Sequence, residues 1–126
     1  MFSILTVDDE VDICKMIASF LKPKGYEVRI SNSGEKALEM IADEKPDIIL
    51  MDLNMPGMGG ETTLKEIKKH YANLPVVMVT VIDNEKKAME LMDEGASDYI
   101  TKPINFDYLG KIISSLESIR NTDLPL

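Results

Sequence analysis

Asp52 follows four consecutive apolar residues, Ile48-Ile49-Leu50-Met51, and Pro56 and Gly57 come soon after it. The apolar run predicts a strand packed on both faces, and the Pro-Gly pair predicts a turn. A carboxylate at such a rim is half desolvated, which disfavours its charged form, so it needs positive charge nearby. Asp8 and Asp9 follow another apolar run, Ile4-Leu5-Thr6-Val7, and Lys102 follows Asp98-Tyr99-Ile100-Thr101. If these strand ends meet, three carboxylates and one ammonium share a rim. Hard oxygen ligands grouped in this way suit Mg²⁺, with Mn²⁺ or Ca²⁺ as substitutes; Mg²⁺ accepts few protein carboxylates and retains waters. One such ion and one ammonium bring the formal charge of three carboxylates to zero, which explains how the cluster can exist.

The same residues suit phosphoryl transfer. A divalent cation and Lys102 can neutralise the oxygens of a phosphoryl group while a carboxylate attacks in line. Aspartyl-phosphate is an established type of covalent intermediate. Thr80, at the end of Val76-Val77-Met78-Val79, offers a hydroxyl to a phosphoryl oxygen.

The elements that must position these residues alternate. Strands are expected at 4–7, 26–31, 48–51, 76–80 and 98–101. Between and after them, helical spacing appears in Ile13, Met16, Ile17, Phe20 and Leu21; in Ala37, Leu38 and Ile41; in Leu64, Ile67 and Tyr71; in Ala88, Leu91 and Met92; and in Leu109, Ile112, Ile113, Leu116 and Ile119. Ser33, Gly59, Asp83 or Asn84, and Asn105 are candidate caps. Five strand-helix repeats predict an α/β fold, a three-layer doubly wound parallel sheet with five helices. The strands at 4–7, 48–51 and 76–79 are continuously apolar and so central; those at 26–31 and 98–101 are mixed and so edges. Right-handed crossovers then favour the strand order 2-1-3-4-5, the flavodoxin-like arrangement. In that order the chain reverses direction between the first and third strands, where ligands bind at strand carboxyl ends.

Length and charge set limits on partners. The 126 residues fit one domain, expected at 1–120, with 121–126 as a tail or the start of a linker. A net charge of -8 argues against direct binding to nucleic acid or to an anionic membrane. No signal peptide or membrane span is visible, and Cys14 is the only cysteine, so a cytoplasmic setting is expected.

The chain resembles the receiver domain of bacterial two-component response regulators (CheY-like) from about Ile4 to Ile119. The matching pieces are Val7-Asp8-Asp9-Glu10, Met51-Asp52-Leu53-Asn54-Met55-Pro56-Gly57, Val79-Thr80 and Ala96-Ser97-Asp98-Tyr99-Ile100-Thr101-Lys102-Pro103. The resemblance implies that Asp52 takes a phosphoryl group from a histidine kinase or phosphotransfer protein. It implies that Asp9, Asp52 and the backbone carbonyl of Asn54 bind the metal directly, and that Asp8 acts through water. Lys102 pairs with Asp52 at rest, and Thr80 and Tyr99 form the switch. The Lys102–Pro103 bond is expected to be cis. The fourth helix, fifth strand and fifth helix form the output face, toward a downstream protein, an attached output domain or a phosphorylation-dependent second copy.

Two positions depart from the commonest pattern. Val81 stands where a small residue is usual, and it is expected to slow turnover of the phosphoryl group. Gly59 stands where Asp is frequent. Simpler readings also exist: Asp8 and Asp9 as first-turn acids of a helix, Thr80 and Tyr99 as packing residues, and Lys65, Lys68, Lys69, Lys86 and Lys87 as solvated helix faces. His70 and Cys14 read as structural, and the methionines as core filler, with Met55 and Met58 as candidates for exposure. Among other functions, a flavodoxin-like electron carrier lacks its phosphate-cradling loop here, because Asp8-Asp9-Glu10 would repel phosphate. A Mg²⁺-dependent phosphohydrolase needs a second Asp where Asn54 stands. An interaction module that never uses phosphate has no need of the complete acid, Thr and Lys set.

Overall fold

The computed structural model describes residues 1–81 and 84–122. It contains β1 (Ser3–Val7), β2 (Glu27–Ser31), β3 (Ile48–Met51), β4 (Val76–Thr80) and β5 (Asp98–Thr101), joined by α1 (Val11–Leu21), α2 (Gly34–Asp43), α3 (Gly60–His70) and α4 (Glu85–Asp93) and followed by α5 (Phe106–Thr122). All pairings are parallel, and the order is β2-β1-β3-β4-β5. The expected topology holds, with the three apolar strands in the centre.

Strand alternation divides the core into two layers. Leu5, Val7, Ile49, Met51, Val76 and Met78 face α2, α3 and α4, where they meet Ala37, Ile41, Leu64, Ile67 and Leu91. Ile4, Ile48, Leu50, Val77, Val79 and Ile100 face α1 and α5, where they meet Ile17, Leu21, Leu109 and Ile113. Each fully buried aliphatic side chain contributes roughly 1.5–3 kcal/mol, so pairing and register follow from covering both faces of the sheet.

The helix ends follow local chemistry. Ser33 Oγ accepts from the Lys36 amide at 3.1 Å, Asn84 from Lys86 at 2.9 Å and Asn105 from Tyr108 at 3.1 Å. Asp83, the other candidate cap of α4, lies outside the described residues. A single 3₁₀ turn over Lys22–Lys24 carries Pro23 and ends at Gly25, with φ of 97°. α3 stops at His70, so Tyr71 falls just beyond it. α5 runs to Thr122, past the boundary expected at 120; residues 123–126 of the expected tail lie outside the described residues.

The methionines divide more widely than core filling implies. Met55 is buried, because the turn after β3 folds it onto Leu64 and its neighbours, whereas Met16, Met89 and Met92 are exposed. Among the described residues, no helix is long and apolar enough to cross a membrane.

Candidate functional site

Neighbouring strands fix the backbone at the rim. The Asp52 amide donates to Val7 O at 2.9 Å, the Asp8 amide to Ser31 O at 3.1 Å and the Lys102 amide to Thr80 O at 2.8 Å. Each bond continues a strand ladder by one residue, so the acids, the threonine and the lysine leave the sheet at one edge. One carboxylate oxygen from each of Asp8, Asp9 and Asp52 lies within 4.8 Å of the other two. Asp8 and Asp52 are buried, and Asp9 is exposed.

Lys102 Nζ stands 2.8 Å from Asp8 Oδ2, 3.4 Å from Asp52 Oδ1 and 3.6 Å from Glu10 Oε1. Its hydrogen bond goes to Asp8, and Asp52 is the longer partner. Asp8 also accepts from the Glu10 amide at 2.9 Å, which ties the acid to the first turn of α1. Burial, then the Asp8 charge, push the Asp52 carboxyl above the usual carboxylate range, and Lys102 offsets this only in part. For Lys102, burial acts to lower the pKa, but the Asp8 hydrogen bond and the surrounding acids outweigh it and raise it. The local balance is short of positive charge.

Thr80 is fully buried, and its hydroxyl has no hydrogen-bond partner. Leaving such a group unmade costs about 1–3 kcal/mol. Thr80→Val keeps the shape and removes that cost, so the resting protein should gain roughly 1 kcal/mol, read as a higher urea midpoint. Tyr99 is half-buried against the α2–α3–α4 core layer. The Lys102–Pro103 peptide is cis. Asn54 is exposed on the loop leaving β3.

That loop is tightly fitted. A Cβ on Gly60 would lie 2.0 Å from the Asp52 carbonyl oxygen and 2.7 Å from Leu53 Cα. Gly59 begins α3 at φ of 76°, in the region that favours glycine, which accounts for its presence there in place of Asp. Thr63 Oγ1 donates to the Gly59 carbonyl at 2.6 Å and braces the turn.

Cys14 is buried beside the site, with its thiol 3.6 Å from the Asp8 carbonyl and its pKa pushed up to about 11, chiefly by burial and then by Asp8. It is an inert packing residue. His70 is exposed, 3.7 Å from Glu66. Two of the five lysines, Lys68 and Lys87, differ from their expected role. Lys65, Lys69 and Lys86 are exposed, Lys65 while also pairing with Glu94, but Lys87 is partly covered and pairs with Glu61 of α3, and Lys68 bonds the Leu74 carbonyl. Sequence reading missed these contacts because helical periodicity says nothing about which neighbour a polar face meets.

The donor set fits a hard divalent cation: three carboxylates at one rim, one of them exposed, beside a single ammonium. A family model described as the response regulator receiver domain matches residues 4–114. The regulatory protein AtoC of Escherichia coli (strain K12) is 38% identical over 110 residues, 87% of this chain and 24% of AtoC. The transcriptional regulatory protein ZraR of the same organism is 40% identical over 106 residues, 84% of this chain and 24% of ZraR. This chain thus spans less than a third of the length of these curated relatives. Among solved structures, the receiver domain of NtrX from Brucella abortus has a TM-score of 0.85 at 36% identity and covers 90% of this chain and 96% of its own. The chemotaxis protein CheY4 of Vibrio cholerae has a TM-score of 0.87 at 31% identity, covering 92% and 98%. The family match runs through nearly all of the folded unit and the related domains superpose along its length, so the chain belongs to the response regulator receiver domain family.

Proposed function

We propose that residues 1–120 form a phosphoacceptor domain in which Asp52 receives a phosphoryl group from a phospho-histidine of a histidine kinase or phosphotransfer protein. The observation that carries this reading is the convergence of Asp8, Asp9, Asp52 and Lys102 at one sheet edge, with the Thr80 hydroxyl buried and unpartnered.

In the reaction an Asp52 carboxylate oxygen forms a bond to phosphorus as the phosphorus–nitrogen bond to the donor imidazole breaks. The electron pair returns to the imidazole, which leaves neutral after taking a proton. Asp9, Asp52 and the Asn54 carbonyl would hold Mg²⁺, with Asp8 acting through water; the bound ion supplies Lewis-acid neutralisation of phosphoryl oxygens. Lys102 neutralises a further oxygen and keeps Asp52 ionised. Asn54 cannot transfer protons, so the acyl-phosphate persists as a signal. The product carries about one more negative charge than the carboxylate, along with new acceptor oxygens. The Thr80 hydroxyl can donate to one of them, and Tyr99 follows inward. Phosphorylation thereby biases a pre-existing equilibrium of the α4–β5–α5 face. That face signals to a downstream protein, an attached output domain or a second copy. The lone, buried thiol and the acidic charge suit a cytoplasmic protein that contacts neither nucleic acid nor membrane directly.

Incubation with acetyl phosphate and Mg²⁺ should raise the intact mass by one phosphoryl group, and chelation should prevent it. Absence of the adduct with Mg²⁺ present would overturn the reading. Val81 is exposed directly after Thr80. Val81→Ala is expected to shorten the lifetime of the adduct by opening the approach of water; an unchanged lifetime removes that role.

A further inference from the structure

Between α3 and α4 lies a charged seam. Lys87 of α4 holds Glu61 of α3 through both carboxylate oxygens, at 2.8 and 2.9 Å, and also faces Glu90 at 3.6 Å. One helical turn along α3, Lys65 faces Glu94 at 3.5 Å. Lys68 follows on the same side, its stem so close to Gly95 that a Cβ there would lie 2.9 Å from Lys68 Cγ. Both ends of α4 are thus tied to one row of α3. The seam is not fully satisfied. One oxygen of Glu94 is buried without a hydrogen-bond partner. Burial, then the neighbouring Glu61 carboxyl, raise the Glu94 pKa, whereas Lys87 holds Glu61 low.

The two helices hang from the two halves of the site. α3 begins against the Asp52 carbonyl, with the Gly60 amide donating to Leu53 O at 2.9 Å. α4 follows Thr80, whose hydroxyl is unengaged in this arrangement. On the phosphoacceptor reading, a Thr80 hydroxyl that turns toward a phosphoryl oxygen would shift the end of β4, shortly before α4 begins at Glu85 in the chain. The seam opposes that motion, because Lys87 sits in the first turn of α4.

We propose that the Glu61–Lys87 and Lys65–Glu94 pairs form an ionic clamp that holds α4 in its resting position and sets how readily Asp52 is phosphorylated. The proposal rests on the phosphoacceptor reading, and the test separates the two. The full chain, with acetyl phosphate at fixed Mg²⁺, is followed by intact mass as wild type, Glu61→Gln, Lys87→Met, the double variant and Lys87→Arg. Amide exchange of α4 is followed in parallel. Releasing a partly exposed pair that favours only the resting state should speed uptake about three-fold. Both single variants and the double variant should show similar acceleration, because each breaks the same contact. Lys87→Arg should stay near wild type. Exchange should quicken in α4 and not in α1.

Simple attraction of the anionic donor predicts something else: Glu61→Gln faster and Lys87→Met slower. Opposite signs of that kind, or wild-type rates in folded variants with unaltered α4 exchange, would overturn the clamp while leaving the phosphoacceptor reading intact. A wild-type protein that takes up no label would sink that reading itself.

Discussion

Asp52→Asn is expected to abolish phosphoryl uptake and, in chelated buffer at pH 7.5, to stabilise the fold. Burial and the Asp8 charge raise the Asp52 pKa in the folded protein, and Lys102 offsets this only partly. A raised folded pKa means that the folded chain binds the proton more tightly than the unfolded chain does. Its stabilising contribution is complete below the unfolded carboxylate pKa and is lost as pH rises through the folded pKa. At neutral pH the ionised Asp52 therefore works against folding, and asparagine removes that opposition. The gain should be roughly 1 kcal/mol, at the low end of what replacing a buried charge yields. It should fade as pH falls through the raised folded pKa of the wild-type carboxyl, where that carboxyl takes up its proton. Mg²⁺ should reverse the order, because it stabilises wild type more than a variant with one ligand fewer. Urea midpoints at two pH values, with and without Mg²⁺, test all of this. A variant less stable than wild type in chelator at both pH values would show that Asp52 is a net stabilising partner of Lys102.

Lys102→Met should act in the opposite direction on folding. The ammonium is 9% exposed, and its partners Asp8 and Asp52 are 3% and 6% exposed. Removing it leaves two buried carboxylates facing each other. Breaking a buried pair by removing one partner costs about 3–5 kcal/mol. The lower figure applies here, because Asp52 can neutralise itself by binding a proton. The loss should accordingly be largest at neutral and higher pH and shrink as pH falls toward the carboxylate range. The site becomes more electronegative, so Mg²⁺ should bind more tightly to the variant while labelling from acetyl phosphate falls by at least ten-fold, the order expected for one lost electrostatic stabiliser. Titration calorimetry with Mg²⁺ and the labelling assay read the two effects separately. Weaker Mg²⁺ binding together with weaker labelling would mean that Lys102 shapes the site and does not chiefly balance its charge.

Together the two variants ask why a small domain keeps so costly a cluster. Asp8 and Asp52 are buried by the strand ladder that positions them, since each amide continues the bonding of its own strand. The cost of gathering them is thus built into the sheet, and the Lys102 ammonium offsets part of it. The same arrangement leaves the Thr80 hydroxyl unpartnered at the rim. On the proposed phosphoacceptor reading, a bound cation would compensate the remaining charge and a phosphoryl oxygen would complete the missing hydrogen bond.

The sequence by itself determined the sheet and which charged residues gather at its rim. Continuous apolar runs at residues 48–51 and 76–79, against mixed ones at 26–31 and 98–101, fixed which strands lie inside, because a parallel strand buried on both faces cannot carry alternating polar residues. Once the strand order followed, the acids after β1 and β3 and the lysine after β5 had to share an edge. Tertiary structure decided what periodicity cannot encode. It chose Asp8 over Asp52 as the hydrogen-bond partner of Lys102, because that choice depends on differences of under an ångström between side chains 94 and 50 residues away in sequence. It buried Met55, which lies in a turn with no period to read. It also joined Lys87 to Glu61 on the neighbouring helix, because a charged face looks the same in sequence whether water or another helix covers it.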